Sequence, residues 1–243
     1  MNHAALYQDD LAYIHHTGFG DFARGAAPEL LRLLRKSGIR GGTLVDLACG
    51  SGIWADVAHR QGFRVLGIDQ SSAMLRLAKK VAPDSRFHRA SLHKCKLPAC
   101  DVVTIIGEGL NYLMPGERRP RLKPLFERIA KALRPGGLFI FDVMVREGER
   151  LSYRRWRDGN DWVVLFEVDE NLRQRMLERR NVAFRRVAGR WRRSKETHRV
   201  RLFTQEEVVR ALRRAGFAVQ VVRRYGTFRL LPHRRGFIAR KAR

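Results

Sequence analysis

The chain has 243 residues, 44% of them hydrophobic, and 49 Lys and Arg against 24 Asp and Glu give it a formal net charge of +25 at pH 7. That length suits one sizeable core, no stretch approaches the roughly twenty uninterrupted apolar residues of a membrane helix, and Cys49, Cys95 and Cys100 are too few and too irregular for a disulfide framework or a zinc site. With no basic-then-apolar leader pattern in the first ten residues, a reducing cytoplasm is the expected location.

Met1 to Gly42 carries Tyr7, Tyr13, His15, His16 and Phe19, and a helix is predicted from about Pro28, a favourable first-turn residue, to Gly38. Leu44 to Leu47 reads as a short buried strand, and the turn Gly50-Ser51-Gly52 lets the backbone pass close to a ligand. A helix is predicted from Ile53 to about Gln61 with Gly62 as its stop, then a second strand from Phe63 to Ile68 that ends at Asp69. A carboxylate at the tip of the second strand of a βαβ unit accepts the hydroxyl hydrogens of a ribose, so the segment describes a nucleoside-binding crevice.

Two cofactor classes use that arrangement. Gly50-x-Gly52-x-x-Ala55 satisfies the dinucleotide pattern, but Asp46 at the end of the first strand would repel a pyrophosphate and suits a cation. At these residues the chain resembles the class I S-adenosylmethionine-dependent methyltransferases, whose first motif is an acidic residue followed by three alternating glycines. Asp46, Gly50 and Gly52 match, and Ala48 replaces the first glycine. The resemblance continues over nearly the whole chain: Ser71-Ser72-Ala73-Met74-Leu75 as the exit from the second strand, Phe87 to Leu92 as the third strand, Asp101 to Glu108 as the fourth strand and its exit, and Leu133-Arg134-Pro135-Gly136-Gly137 as the turn into a fifth strand ending at Asp142.

The resemblance implies an α/β fold: a Rossmann-like, seven-stranded, mainly parallel sheet with helices on both faces. It implies S-adenosyl-L-methionine as cofactor, held by Asp46, Ala48, Gly50, Gly52, Asp69 and Gln70. Met74, Ser91 and Leu92 would lie near the adenine, Gly107 at the fourth-strand exit, and Tyr13 would come from an N-terminal segment folded over the site. No metal is expected. Methyl transfer to a preactivated electrophile needs mainly an acceptor held in line with water excluded, and a base helps when the acceptor is protonated. Glu108 and His16 are the catalytic candidates; Asn111, Tyr112, Trp156, Glu196 and His198 are the candidates for binding the acceptor.

The chain reads as a single domain over 1–243, divided into an N-terminal lid (1–42), a cofactor-binding core (43–144), a β-rich cap insertion (145–203), and a last helix with the final strands (204–243). In the cap, Trp162 to Val168, Gln174 to Val187 and Trp191 to Phe203 are predicted strands, the last two joined as a hairpin at Ala188-Gly189. Thr204-x-x-Glu207 is a capping box, and Val219 to Arg223 and Gly236 to Lys241 form the expected closing antiparallel pair. Most of the net charge falls after residue 145, which raises an RNA acceptor as the alternative. The arginines, however, are spread over helices, strands and loops without dense runs, so a nitrogen or oxygen of a small molecule is the expected acceptor, with no membrane partner. A non-catalytic cofactor-binding relative is the third reading, and an NAD-dependent oxidoreductase fails on Asp46 and on Pro135-Gly136-Gly137. Oligomeric state is not legible.

Overall fold

The computed structural model of the protein describes residues 6–113 and 122–242. Helices α1 (Asp9–Phe19) and α2 (Asp21–Lys36) precede β1 (Gly42–Leu47), after which α3 (Ile53–Arg60), β2 (Phe63–Asp69), α4 (Ser72–Val81), β3 (Arg86–Arg89) and β4 (Cys100–Ile105) alternate. A 3₁₀ turn at Gly109–Asn111 and the two-residue β5 (Tyr112–Leu113) lead to α5 (Leu122–Ala132) and β6 (Leu133–Met144). Four long strands follow, β7 (Ser152–Gly159), β8 (Trp162–Asn171), β9 (Met176–Val187) and β10 (Arg190–Arg201). The chain closes with α6 (Gln205–Arg214), β11 (Phe217–Val222), the short β12 (Arg224–Tyr225) and β13 (Phe228–Arg229), and β14 (Arg234–Lys241).

The seven-stranded sheet runs in the order β11-β14-β6-β4-β1-β2-β3. Strands β1, β2, β3, β4 and β6 are mutually parallel where they pair, and β14 is antiparallel to both β6 and β11. Its central strands are near-continuous apolar runs because both faces are covered. On one face Leu30 and Leu34 of α2 and Trp54 and Ala58 of α3 pack on Leu44, Val102 and Ile140. On the other, Phe126 and Ile129 of α5 and Val208 and Leu212 of α6 pack on Val45, Val103 and the stacked rings of Phe139, Phe141 and Phe237. Strand β1 has β2 on one side and β4 on the other, so connections leave it in both directions and open a crevice at its C-terminal end. In open α/β sheets, ligands bind at that switch point.

The second sheet has the order β5-β10-β9-β8-β7 and is antiparallel throughout. Ala188 and Gly189 form its tight turn, both at positive φ (49° and 79°), as a two-residue hairpin of this twist requires. Two predicted helix starts are also in place: the Ser71 hydroxyl accepts from the Met74 N–H at 3.0 Å, and Thr204 from Glu207 N–H at 3.2 Å.

Some elements depart from the sequence reading. Helix α2 starts at Asp21, with Pro28 inside it; burying Ala26, Ala27, Leu30, Leu31 and Leu34 on one stripe outweighs the one hydrogen bond that the proline cannot donate. Helix α1 was not expected, since its aromatic and histidine content masks a stripe of Leu11, Ala12 and Ile14. Strand β7 escaped notice because every residue in it is exposed, leaving no apolar alternation to read. Strand β3 ends at Arg89, before Ser91 and Leu92. Strand β6 begins at Leu133; Pro135-Gly136-Gly137 makes an irregularity within it, where β4 shifts register between Cys100 and Val102.

Candidate active site

A cavity of about 510 Å³ opens at the C-terminal ends of β1 and β4, between the first sheet, α1 and the second sheet. On the floor, the Gly50-Ser51-Gly52 turn follows Ala48, which takes a left-handed φ of 53°. Gly50, at φ 54°, borders open space in which a Cβ would meet nothing, so bare backbone faces the cavity. Gly52 serves a different purpose: a Cβ there would lie 3.0 Å from the backbone of Ala78, so its absence lets α4 pack close. Asp69 fixes the turn from the side, its carboxylate accepting from the Gly50 N–H at 2.9 Å and the Ser71 N–H at 2.8 Å. Asp46 is buried beneath, accepting from the Thr104 hydroxyl at 2.7 Å, and Trp54 donates to that hydroxyl in turn at 3.1 Å. Burial pushes the Asp46 carboxyl up to about 7, against the Thr104 hydrogen bond and with help from Asp69. Burial likewise raises Asp69.

Ala48, Gln70, Met74, Leu92 and Gly107 also line this half of the cavity, as the sequence reading expects. Ser91 does not: its hydroxyl accepts from the His93 N–H, and Ala90 and Leu92 face the cavity instead.

The far half lies at the β4 exit. Glu108 sits at φ 61°, a strained conformation for a residue with a side chain. It is held there by Asp142, whose carboxylate accepts from the Gly107 N–H at 2.8 Å and the Glu108 N–H at 3.0 Å. The buried Glu108 carboxylate bridges two partly buried guanidiniums, Arg179 at 3.0 Å and Arg234 at 2.9 Å. Burial alone would raise its carboxyl, but Arg234 and Arg179 outweigh that and hold it at about 2. Tyr112 completes the group, its hydroxyl 2.7 Å from that of Tyr7 and 2.9 Å from Arg179.

The N-terminal segment is tied to the second sheet through Glu196. Its two carboxylate oxygens accept from the backbone N–H groups of Tyr7 and Gln8 at 2.7 and 2.8 Å, and His198 Nε2 is 2.9 Å away. With Nε2–H donated to that carboxylate, His198 lines the cavity with a buried Nδ1 that has no partner among the described residues. Asp10 of that segment pairs with Arg192 and, at 3.6 Å, with Arg185, and Ser71 donates to the Tyr7 carbonyl at 2.6 Å.

Five expected contacts lie elsewhere. His16 turns to the Ser51 hydroxyl at 2.8 Å, and the helical neighbour His15 faces the cavity instead, its imidazole lowered to about 4, chiefly by burial. Tyr13 donates to Asp161 and carries the Arg185 guanidinium 3.6 Å above its ring; Tyr7 occupies the cavity position. Asn111 is a strap, bonded to both backbone groups of Met144 and to the Arg201 carbonyl. Trp156 is 67% exposed on the outside of β7. Glu196 acts behind His198 and does not line the cavity. Residues 1–5 of the expected lid lie outside the described residues. Sequence reasoning missed Arg179 and Arg234; a basic residue inside a charge-rich strand carries no signal that separates it from its exposed neighbours. Among the described residues no cluster could hold a metal ion, and no helix is long and apolar enough to cross a membrane.

A family profile described as a methyltransferase domain matches residues 44–137. The chain spans about two-fifths of the length of a putative methyltransferase from Geobacillus, at 31% identity over 105 residues. Against the dTDP-3-amino-3,6-dideoxy-alpha-D-glucopyranose N,N-dimethyltransferase of Streptomyces fradiae, 27% identity extends over 89% of this chain and 87% of that protein. Among solved structures, the fold superposes on a sugar N-methyltransferase from Streptoalloteichus with a TM-score of 0.78 and 19% identity, covering 100% of this chain and 98% of the other. The S-adenosylmethionine-bound amino pentose methyltransferase of Micromonospora echinaspora gives a TM-score of 0.75 at 21% identity over 99% and 100% of the two chains. These last two likenesses establish the fold, second sheet included.

Proposed function

We propose that the chain is a class I S-adenosylmethionine-dependent methyltransferase, its residues 44–137 matching a methyltransferase-domain profile, and that it methylates an amine nitrogen of a small molecule, an amino sugar being the leading form. The observation that carries the reading is the divided cavity: a bare glycine turn with two buried carboxylates at one end, and the Glu108–Arg179–Tyr112–His198 group under the second sheet at the other. The relative from Streptomyces fradiae, which matches through that sheet as well as through the core, is by name an amino-sugar N,N-dimethyltransferase.

The residues fit the cofactor. Bound there, S-adenosylmethionine supplies an activated methyl group on a sulfonium, with no phosphate for Asp46 to repel. We infer that Gly50 presents its backbone, Asp69 meets the ribose, Met74 and Leu92 flank the base, and Asp46 answers the positive charge. Gln70, Ala48 and Gly107 complete the wall.

At the acceptor end, Glu108 is too weak a base to take a proton at neutral pH, because a group held at about 2 stays ionised. It is a fixed negative charge that orders Arg179 and Tyr112. His15, lowered to about 4, stays neutral. His198 is the base candidate by geometry: Glu196 on Nε2 fixes the ring, and Nδ1 has no partner among the described residues. It would take the proton of an acceptor ammonium and leave the nitrogen lone pair free for in-line attack. The lid and second sheet keep water out. The free thiols of Cys49, Cys95 and Cys100 accord with work in a reducing cytoplasm.

The test is transfer of labelled methyl from S-adenosylmethionine into a panel of amino sugars and simple amines, run beside total RNA. Label entering amines supports the reading. Label confined to RNA overturns it.

A further inference from the structure

The wall made by Leu231 and Arg234 has a second cavity on its other side, of about 430 Å³, lined also by Arg223, Arg224, Arg229 and Arg235. Strands β12 and β13 form its rim. In their antiparallel register Arg224 stands directly opposite Arg229, and Arg223 immediately precedes them. Like charges directly opposed on a ladder are destabilising unless something negative sits between them.

Among the described residues, no carboxylate pairs with these three arginines. Glu29, beneath the hairpin, meets Thr227 and Arg32 through one carboxylate oxygen, and its other oxygen is buried under Gly226 without reaching the three arginines. Glu147 is taken by Arg235, and Glu108 and Asp142 by Arg234. The described residues give the side chains of Arg223, Arg224 and Arg229 no hydrogen bond or ion pair. The hairpin that carries them is nonetheless firmly seated: Tyr225 is fully buried, Phe228 packs edge-on against Phe22, and the Thr227 hydroxyl donates to Glu29 at 2.7 Å. Three exposed guanidiniums, unpaired among the described residues, therefore ring one small pocket from a firmly seated backbone, and that pocket shares a wall with the acceptor end of the active site.

We propose that this pocket binds a phosphate or pyrophosphate group, and that the group belongs to the acceptor, whose methylated end reaches past Leu231 and Arg234 to His198. Guanidinium forks match paired phosphate oxygens geometrically, which ammonium groups do not. A small pocket with an apolar side at the buried Leu230 and the half-exposed Leu231 fits a discrete anion. A nucleic-acid backbone needs instead a track of about six to ten phosphate contacts to bind firmly. The pocket itself stands on the arginine geometry; only its attribution to the acceptor rests on the small-molecule reading above.

The test uses the full chain with S-adenosylhomocysteine present and titrates inorganic pyrophosphate by calorimetry, so no turnover is needed. Wild type is expected to bind one pyrophosphate, Arg224→Ala with Arg229→Ala to weaken it at least about tenfold, and the charge-matched pair Arg213→Ala with Arg214→Ala on α6 to leave it unchanged. S-adenosylhomocysteine affinity, measured in the same samples, is expected to be the same in all three proteins and reports that the fold is intact. No pyrophosphate binding by wild type, or equal loss in both paired variants, overturns the site. A twelve-nucleotide RNA that binds more tightly than pyrophosphate and depends on Arg224 and Arg229 overturns the small-anion form of it. Pyrophosphate bound as expected while no small amine accepts a methyl group would leave this site standing and remove the proposed acceptor class.

Discussion

The methyl group of Ala48 occupies the space that a side chain at Gly109 would need: a Cβ built on Gly109 lies 2.6 Å from the Cβ of Ala48. The two residues sit at the exits of β1 and β4, on the two sides of the crevice. Ala48 carries a left-handed backbone at φ 53°, which costs a non-glycine residue about 1–2 kcal/mol. The departure from glycine in the first motif is thus absorbed locally, by strain at 48 and by a glycine at 109.

Gly109→Ala is therefore expected to cost about 1–3 kcal/mol of stability by overpacking and to disturb the Glu108 conformation, lowering cofactor affinity as well. Ala48→Gly alone should change stability by less than about 1 kcal/mol, since relief of strain is offset by a freer unfolded chain. Combined, the two substitutions should recover most of the Gly109→Ala loss. Thermal unfolding and S-adenosylhomocysteine titration of the four proteins give the cycle, and additive losses would dissolve the coupling.

Much of the glycine-turn half of the cavity was legible in the sequence because it depends on backbone conformation and strand order, which Gly50, Gly52, Asp69 and the alternating elements encode locally. The acceptor half was not. Arg179 and Arg234 lie 55 residues apart in sequence and meet only on Glu108, and whether His15 or His16 faces inward depends on the rotation of α1 against the second sheet. Glu196 and His198 lie two residues apart on β10, yet only His198 reaches the cavity, because the backbone of Tyr7 and Gln8 takes the Glu196 carboxylate. Arg192, which composition alone would leave as surface charge, holds Asp10 of the lid.

Two buried carboxylates should give the ligand-free protein opposite pH responses. Asp46 is raised from about 3.9 to about 7, so the folded state holds an extra proton between those values and stability falls as pH rises through that window. Glu108 is lowered from about 4.3 to about 2, so its contribution is present above about 4.3 and is lost as pH falls through 2. Urea unfolding of Asp46→Asn should flatten the slope between pH 4 and 7, and a slope unchanged from wild type would assign it to other groups. A cationic ligand favours ionised Asp46, so wild-type affinity for S-adenosylmethionine should rise from pH 6 to 8, and more than it does for S-adenosylhomocysteine.

Breaking the buried ion pairs of Glu108 should be costly. Glu108→Gln removes the charge that two partly buried guanidiniums share, for an expected loss of about 3–5 kcal/mol, together with loss of activity as Arg179 and Tyr112 lose their anchor. Circular dichroism melting measures the first and methyl transfer the second. A variant as stable as wild type would mean that solvent or another anion already compensates the pair.

The His198–Glu196 pair carries the sharpest test of the proposed chemistry. If His198 Nδ1 removes the proton of an acceptor ammonium, His198→Gln should lower kcat by about 10²–10⁴-fold near neutral pH. The deficit should shrink as pH approaches the pKa of the acceptor amine, where the nucleophile arrives already deprotonated. Glu196→Gln should show a smaller pH-dependent loss, because the ring keeps its place but loses its carboxylate, and an added loss at all pH values because Tyr7 and Gln8 of the lid are held less firmly. A full pH–rate profile for wild type and both variants separates the two effects. If the His198→Gln deficit is the same at every pH, His198 positions the acceptor and does not take its proton, and the proton leaves to solvent before the amine is bound.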